Sequence, residues 1–275
     1  MVGERVLAFG ELYVSEKKVE KDRNFVTALA RGLEILRCFG PKDEYLGNAE
    51  LASRTNIPRP TVSRMTATLT QLGYLNYSDN LEKYRLGSGV LELGYRYLAS
   101  ESVRAVARPY MQELADATDC MVAIGTVEGT TVTYIQVCHG DGPLVLRLSV
   151  GSQVPLATSA LGRAYLAALP VAQRQPYLQR IKKEDPKAWP QVEAGLQEAF
   201  ADYEKHGFCL AEGEWNDDVS GVAVPLYLEG GSRILPMNCG GSALRLNRKV
   251  LVGNLGPRLL AVAETVQTLM QESFA

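Results

Sequence analysis

The sequence predicts an α+β protein with two domains joined by a helix, and three observations lead to this prediction. The chain has 275 residues, which suggests two domains at roughly 150 residues each. Residues 25–86 show apolar positions at helical spacing followed by a short β-hairpin pattern. From residue 120 onward, runs typical of strands precede and follow a block of helices, which indicates helices packed on an antiparallel sheet.

Composition excludes several classes of protein. The 29 Lys and Arg against 31 Asp and Glu give a net charge of −2, so no global positive field attracts nucleic acid. A hydrophobic fraction of 46% excludes wholesale disorder. No uncharged apolar run approaches the ~18 residues of a membrane helix, and the N-terminus does not resemble a signal peptide. Five scattered cysteines without a C-x-x-C pair predict reduced thiols and a cytoplasmic protein.

The first elements are predicted as an arm and two helices. Residues 1–24 lack a regular period and are expected to form a mobile arm. An amphipathic helix is predicted over residues 25–39 from apolar positions at helical spacing. These positions are Phe25, Leu29, Leu33 and Leu36. A short helix follows Asn48, a candidate N-cap, with Leu51 and Ala52 facing inward.

The next helix begins near Pro60 and carries a polar, basic face. Its apolar stripe is Val62, Met65, Leu69 and Leu72. Its other face shows Thr61, Ser63, Arg64, Thr66, Thr68 and Gln71. The stretch 51–78 holds three arginines and no carboxylate. A hairpin follows, with Lys83 and Arg85 on its returning strand.

Together these elements predict a winged helix-turn-helix domain over residues 25–87. A helix fits the DNA major groove, and a face without carboxylates avoids repulsion by the phosphates. Arg59, Thr61, Ser63, Arg64 and Thr66 are therefore predicted to present to the groove, and Lys83 and Arg85 to reach phosphates. Winged helices also dock proteins, so a protein-docking scaffold stays open as an alternative.

A linker helix is predicted over residues 88–101. Val90, Leu91, Leu93, Tyr95, Tyr97 and Leu98 surround most of its circumference. A connecting helix that is apolar on nearly all sides needs a cover, and a second copy of the chain would supply it. The linker therefore predicts a homodimer.

The second domain is predicted over residues 102–275. It opens with a helix whose apolar positions begin at Val103, and strands are expected at 120–127, 130–138 and 143–149. The small, uncharged segment 151–162 leads into a helix, and two more helices lie near 172–182 and 190–206. Strands near 208–214, 219–228 and 234–240 and a long C-terminal helix complete the domain.

This domain carries little that indicates catalysis. The sequence lacks the nucleotide-binding, nucleophile-elbow and metalloprotease motifs, and it holds only two histidines, His139 and His206. The acids from Glu212 to Asp218 are interpreted as a solvated loop. Small residues at 158–162 and 238–241 instead suggest a cavity, with backbone N–H groups at a helix start that suit a carboxylate. We expect no enzyme, cofactor or metal. An enzyme that processes a small acid, through Cys239 or the acidic loop, stays open.

Five motifs resemble the IclR (isocitrate lyase regulator) family of bacterial transcription factors. They are AxxRGLEILRCF, ELASRTNIPRPTVSRMTATLTQLGYL, YRLGSGVLELG, VGSQVPLATSALGRAYLA and YEKHGFCLAEGEWNDDVSGVAVPL, spread over residues 25–272. The resemblance implies a winged helix-turn-helix, a linker helix and a GAF/PAS-like effector-binding domain. It also implies a homodimer, often a dimer of dimers or homotetramer, that binds a pseudo-palindromic operator in double-stranded DNA under control of a small organic acid.

The resemblance also implies effector contacts. They transfer to Leu146, Thr158, Ser159, Ala160, Leu161, Ala211, Gly221, Asn238 and Gly240. The chain departs from the family at Ala157, where histidine is common, and at Arg163, where lysine is usual. Asn238 and Gly240 stand where serine is frequent, and Pro236 is expected to interrupt the last strand. These departures predict an unusual ligand or none.

Overall fold

The computed structural model describes residues 24–141 and 148–272. The chain divides into two compact units between Ser100 and Glu101, and each is described by itself. Residues 1–23 of the predicted arm, Leu146 and most of the strand predicted over 143–149 lie outside the described residues.

The N-terminal unit is a winged helix-turn-helix, as the sequence predicts. Its elements are α1 (Thr27–Arg37), α2 (Asn48–Thr55), α3 (Arg59–Gln71), β1 (Leu75–Ser78), β2 (Lys83–Leu86) and α4 (Ser88–Ser100). Apolar side chains from the three helices and the hairpin meet in one core, where Ile35, Leu51, Val62 and Leu75 are fully buried. A left-handed residue, Asn56, ends α2 and turns the chain into α3.

The apolar stripe predicted for the first helix mostly faces solvent, whereas the stripe of α3 faces the core except at its last residue. Phe25, Leu29 and Leu33 are each more than half exposed, and Ile35 is the residue of α1 that is buried. Leu72 at the end of α3 is also exposed. Apolar spacing identifies one face of a helix, but it does not identify what covers that face.

The start of α2 differs by one residue from the prediction. Gly47 is the N-cap, and its N–H donates to the Glu50 carboxylate at 2.7 Å. Asn48 is therefore the first helical residue and not the cap. Its side chain is free to contact α3, where its Nδ2 donates to Ser63 Oγ at 3.2 Å.

The C-terminal unit packs helices on both faces of a six-stranded antiparallel sheet. Its helices are α5 (Ser102–Thr118), α6 (Ala160–Ala168), α7 (Val171–Glu184), α8 (Trp189–His206), α9 (Arg248–Val250) and α10 (Gly256–Glu272), with a π-helical turn over Leu251–Leu255. Its strands are β3 (Met121–Glu128), β4 (Thr131–His139), β5 (Gln153–Pro155), β6 (Cys209–Glu212), β7 (Val219–Leu228) and β8 (Arg233–Ser242). Their order is β5-β4-β3-β8-β7-β6.

The two faces of this sheet have different covers. Helix α6 packs on the face that carries Ala211 and Ala223. Helix α5 lies on the opposite face, where its Arg108 carbonyl accepts from Cys138 Sγ at 3.8 Å. The predicted inward positions of α5 are confirmed, because Val103, Ala107 and Met111 are all buried.

Two features of the sheet correct the prediction. Strand β5 lies in the segment 151–162, where no strand is predicted, and pairs with β4, Val154 opposite Val132. Pro236 does not interrupt β8, because it lies opposite Pro225 on β7 and the pairing of β8 with β3 ends at Met237. Its missing N–H therefore leaves no gap in either ladder.

Candidate nucleic-acid interface and ligand cavity

Helix α3 presents a polar, basic face to solvent. Arg59, Ser63 and Arg64 are exposed, and Thr61 is half-buried. The first turn lacks acidic residues. The partial positive charge of its backbone N–H groups therefore adds to the positive charge of the two arginines on the outward face. Of the five groove residues predicted on this helix, these four lie where a polyanion can approach them.

Thr66 does not belong to this face. Its side chain is fully buried, and its hydroxyl donates to the Val62 carbonyl or to Asn48 Oδ1, both 3.1 Å away. The prediction that Thr66 presents to the groove is therefore wrong. Threonine is as polar as its neighbours in the sequence, and only the contact with Asn48 reveals that it joins α2 to α3.

Arg54 is also a structural residue. Its guanidinium binds Asp43 through two bonds of 2.6 and 3.0 Å, and it donates to the Cys38 carbonyl at 3.0 Å. The bond from Arg54 is the largest effect that lowers the pKa of Asp43. The Arg54 side chain is 41% exposed, but Asp43 holds its guanidinium, so Arg59 and Arg64 are the arginines of the stretch 51–78 that we expect to contact DNA.

The wing is fixed to the domain by a β-bridge. Leu46 and Tyr84 exchange backbone bonds of 2.8 and 2.9 Å, so the hairpin β1–β2 gains a third short strand. Lys83 lies half-exposed, with its Nζ 3.1 Å from Glu50 Oε2. Arg85 is exposed, with its guanidinium carbon 5.9 Å from the centre of the Tyr45 ring. Both cations are held by weak surface contacts that a phosphate can replace.

The C-terminal unit contains a cavity of about 80 Å³ between α6 and the sheet. One water requires roughly 10–15 Å³ on this measure, so the cavity has room for a small organic molecule. Seven of the nine predicted effector contacts line it: Ser159, Ala160, Leu161, Ala211, Gly221, Asn238 and Gly240. Thr158 is not among the lining residues, and Leu146 lies outside the described part of the chain.

The start of α6 forms one wall of the cavity. Ser159 caps the helix, because its hydroxyl accepts from the Gly162 N–H at 3.1 Å and donates to the Pro155 carbonyl at 2.6 Å. The N–H groups of Ala160 and Leu161, the first two helical residues, have no acceptor within the helix. A Cβ at Gly162 would lie 2.0 Å from the Leu156 carbonyl oxygen, so only glycine allows this close approach.

Tyr134 is a lining residue that the sequence analysis missed. A β-bulge leaves one residue of β4 without a partner on β3, because Ile124 pairs with Gln136 and Gly125 pairs with Tyr134. The extra residue, Ile135, reverses the alternation, and Tyr134 then points to the side of α6. Strand β4 is buried on both faces here, so alternation in its sequence does not reveal this direction. Burial raises the pKa of Tyr134, which keeps its hydroxyl protonated.

Asn238 leaves a buried polar atom without a partner. The residue is 8% exposed, and its Oδ1 makes no hydrogen bond. Its side chain is a hydrogen-bond partner of the Tyr134 hydroxyl and lowers the pKa of that group, against the larger effect of burial. An unpaired buried acceptor costs free energy that a ligand can recover.

The acidic loop, residues 212–218, is not simply solvated. Arg163 is buried and donates to Glu214 Oε1 at 2.6 Å and to the Leu210 and Ala157 carbonyls at 2.9 and 3.1 Å. Trp215 follows Glu214 and lines the cavity. The arginine that replaces the usual lysine of the family therefore ties the loop to the segment before α6 and does not face the ligand.

The cavity lining includes Cys120 and His139, but Cys239, the thiol that the enzymatic alternative invokes, is not among the lining residues. Cys239 is fully buried and alternates on β8 with Asn238 and Gly240, which line the cavity while it does not. Its hydrogen bond with Cys120 and its burial raise its pKa well above the usual value, which disfavours the nucleophilic thiolate. All five cysteines are free, buried thiols.

The described parts of the chain contain neither a cluster of metal-ligating side chains nor a membrane-spanning helix. Within residues 24–141 and 148–272, no three His, Cys, Asp or Glu side chains are grouped closely enough to hold a metal ion. No helix in the same ranges has the length and apolar character that crossing a membrane requires.

Comparisons with known proteins agree with both units. Residues 28–79 match the family model of the IclR helix-turn-helix domain, and residues 95–268 match that of the bacterial transcriptional regulator IclR C-terminal region. The chain is 31% identical over 254 residues to the HTH-type transcriptional regulator TsaQ1/TsaQ2 of Comamonas testosteroni, covering 92% of this chain and 91% of that regulator. It is 31% identical to the Pca regulon regulatory protein of Pseudomonas putida, covering 88% and 83%.

A solved structure shares the whole architecture. The crystal structure of an IclR family transcriptional regulator from Brucella abortus has 44% sequence identity and a TM-score of 0.85, covering 92% of this chain and 96% of that one. The chain thus aligns with nearly the full length of these relatives, which are transcriptional regulators.

Proposed function

The chain belongs to the IclR family of bacterial transcriptional regulators, and from this premise we propose that it binds a pseudo-palindromic operator as a homodimer in the cytoplasm. A small organic acid in the cavity of the C-terminal unit controls this binding. The chain is a regulator and not an enzyme, in keeping with its family.

The outward face of α3 carries the proposal. Arg59 and Arg64 are exposed on a helix without acidic residues, and the wing adds Lys83 and Arg85 from the same unit. An arginine pairs with two acceptor atoms on the major-groove edge of guanine, whereas wing cations reach phosphates. We assign direct base contact to Arg64 and phosphate contact to Lys83.

The dimer contact is assigned to α4. No residue of this helix is buried, although its apolar side chains include Leu91, which is 74% exposed, and Tyr95, which is 69% exposed. The exposed stripe of α1, with Phe25, Leu29 and Leu33, adds further apolar surface in the same unit. Soluble proteins cover apolar patches of this kind. We assign a second copy of the chain to this surface, because the two half-sites of a pseudo-palindromic operator are related by a two-fold axis and bind a symmetric dimer.

Replacing Leu91 and Tyr95 together with aspartate is expected to separate the dimer. Removing two central apolar contacts costs about 2 kcal/mol or more, which raises the dimer dissociation constant about 30-fold. Sedimentation velocity over a concentration series measures the shift. Leu244→Asp is the matched control, because Leu244 is 97% exposed in the other unit. A double variant that stays dimeric at the wild-type dissociation constant removes α4 from the interface.

Replacing Lys83 with alanine is expected to weaken binding to every duplex by the same factor. Losing one phosphate contact reduces the slope of log K against log salt by about 0.9. Glu50→Gln provides the opposite change: it removes the carboxylate 3.1 Å from Lys83 and keeps an oxygen for the Gly47 N–H, so affinity rises. Binding isotherms at four salt concentrations measure both. A loss at one base pair alone would instead make Lys83 a base-reading residue.

Ligand control is tested on the full chain with DNA present. A duplex that the protein prefers is titrated with and without a panel of small organic acids, and the apparent Kd is compared. Coupling of about 1–3 kcal/mol, or about 5- to 150-fold in affinity, is typical of an allosteric effector. An acid that changes the Kd within that range supports the proposal. An acid that binds the protein and leaves the Kd unchanged contradicts ligand control.

A further inference from the structure

The polar groups of the cavity are arranged to recognise two different parts of a ligand. At one wall, the N–H groups of Ala160 and Leu161 and the start of α6 favour a negative charge. On the sheet, the side chains of Tyr134 and Asn238 lie on strands that flank β3, opposite Gly125 and Ala123. These two residues of β3 are small, so no long β3 side chain separates Tyr134 from Asn238.

The pair on the sheet offers one acceptor and one donor. Asn238 Oδ1 is buried and has no partner, so it can accept a hydrogen bond from the ligand. The Tyr134 hydroxyl lies near the Asn238 side chain and is kept protonated by burial, so its O–H can donate. A carboxylate carries no proton and would repel Oδ1. A ligand hydroxyl suits the pair, because it donates to Oδ1 and accepts from the Tyr134 O–H.

Charge limits the ligand further. The described residues that line the cavity include no lysine or arginine, and Asp119 lies among them. Arg163, the cation nearest in sequence to the helix start, is occupied by Glu214 and two carbonyls. His139 also lines the cavity, but its Nε2 already contacts the Leu148 carbonyl at 3.1 Å. A second carboxylate would therefore be buried without a lysine or arginine as counter-charge, which is costly.

We propose that the ligand is a small monocarboxylic acid that also carries a hydroxyl group, with the carboxylate at the start of α6 and the hydroxyl between Tyr134 and Asn238. This assignment deepens the proposed function and rests on it. It makes Asn238, which replaces the serine frequent in the family, the residue that selects the hydroxyl. Sites that bind a hydroxyl discriminate strongly against analogues without one, because their own polar atoms are then left unpaired.

Calorimetry on the full wild-type chain with matched acids tests the proposal. The pairs are lactate and propionate, 3-hydroxybutyrate and butyrate, and 4-hydroxybenzoate and benzoate, which place the hydroxyl at three distances from the carboxylate. We expect at least one hydroxy acid to bind about 10-fold or more tightly than its partner. Succinate and malate should bind more weakly than that acid. Equal affinity within every pair that binds overturns the proposal and leaves ligand control by an acid intact.

Two variants locate the selectivity. Asn238→Leu has nearly the same shape and no polar atoms, so it should abolish the preference for the hydroxy acid while propionate, butyrate or benzoate bind as well as before. Tyr134→Phe keeps the ring and should reduce the same preference. A preference that survives in both folded variants, judged by a wild-type thermal midpoint, assigns the hydroxyl to other residues and refutes the role of Asn238. If no acid of the panel binds the wild type, the proposed acid effector fails together with this inference.

Discussion

Replacing Arg64 with alanine is expected to weaken binding to the preferred duplex by about 5- to 150-fold, the equivalent of about 1–3 kcal/mol. Arg64 is exposed on the second turn of α3, where its guanidinium can reach both acceptors of a guanine. The loss should be confined to duplexes that carry this guanine, so that specificity at one base pair disappears. Fluorescence anisotropy with the preferred duplex and its single-base variants measures both effects.

The control for Arg64 is another exposed arginine. Arg180→Ala in α7 removes the same charge from the C-terminal unit and should leave the affinity unchanged. A loss at Arg64 that is small and equal for all duplexes would make it a phosphate contact. Base recognition by α3 would then have to come from Arg59, Thr61 or Ser63.

Replacing Gly162 with alanine is expected to disrupt the effector cavity. The new Cβ would lie 2.0 Å from the Leu156 carbonyl oxygen and 2.5 Å from its carbonyl carbon, and backbone atoms cannot move aside cheaply. Such overpacking costs about 1–3 kcal/mol, and occasionally more. The start of α6 must shift away from the sheet, and ligand binding should be lost with it. Urea unfolding followed by near-ultraviolet circular dichroism, together with calorimetry, measures the change.

Gly253 supplies the control for this variant. It lies in the same unit, in the π-helical turn, and a Cβ there meets no atom within 4 Å. Gly253→Ala should therefore keep both the unfolding midpoint and ligand binding. If Gly162→Ala unfolds at the wild-type urea concentration and binds ligand normally, the close approach at Leu156 does not hold α6 in place.

The sequence was sufficient for features that depend on local spacing. The winged hairpin follows from alternating apolar residues around Asp79-Asn80, and its strands pair Leu75 with Leu86 as that pattern requires. Helix α5 follows from an unbroken apolar stripe, which the buried Val103, Ala107 and Met111 confirm. The seven lining residues predicted as effector contacts came from the family resemblance rather than from local spacing. Their role in ligand binding stays a prediction.

Features that depend on contacts between residues far apart in the sequence could not be predicted. Thr66 is predicted as a groove residue and Arg54 belongs to the acid-free stretch 51–78, but Asn48 and Asp43 bind their side chains. Tyr134 points into the cavity because of a bulge, and a bulge has no signature in a strand that is buried on both faces. Glu214 lies in the acidic loop that the sequence analysis interprets as solvated, but a buried arginine 51 residues away binds its carboxylate. In each case the deciding partner lies far away in the sequence.

We expect a dimer of this chain to bind a specific DNA sequence through α3, and selection from random duplexes tests this expectation. The purified full chain is mixed with a random library at moderate salt, and the bound duplexes are amplified and sequenced over several rounds. We expect the selected duplexes to share an inverted repeat whose half-sites are separated by about one helical turn. Recovery of unrelated sequences by protein that is folded and dimeric would contradict it, and would favour a winged helix that docks protein.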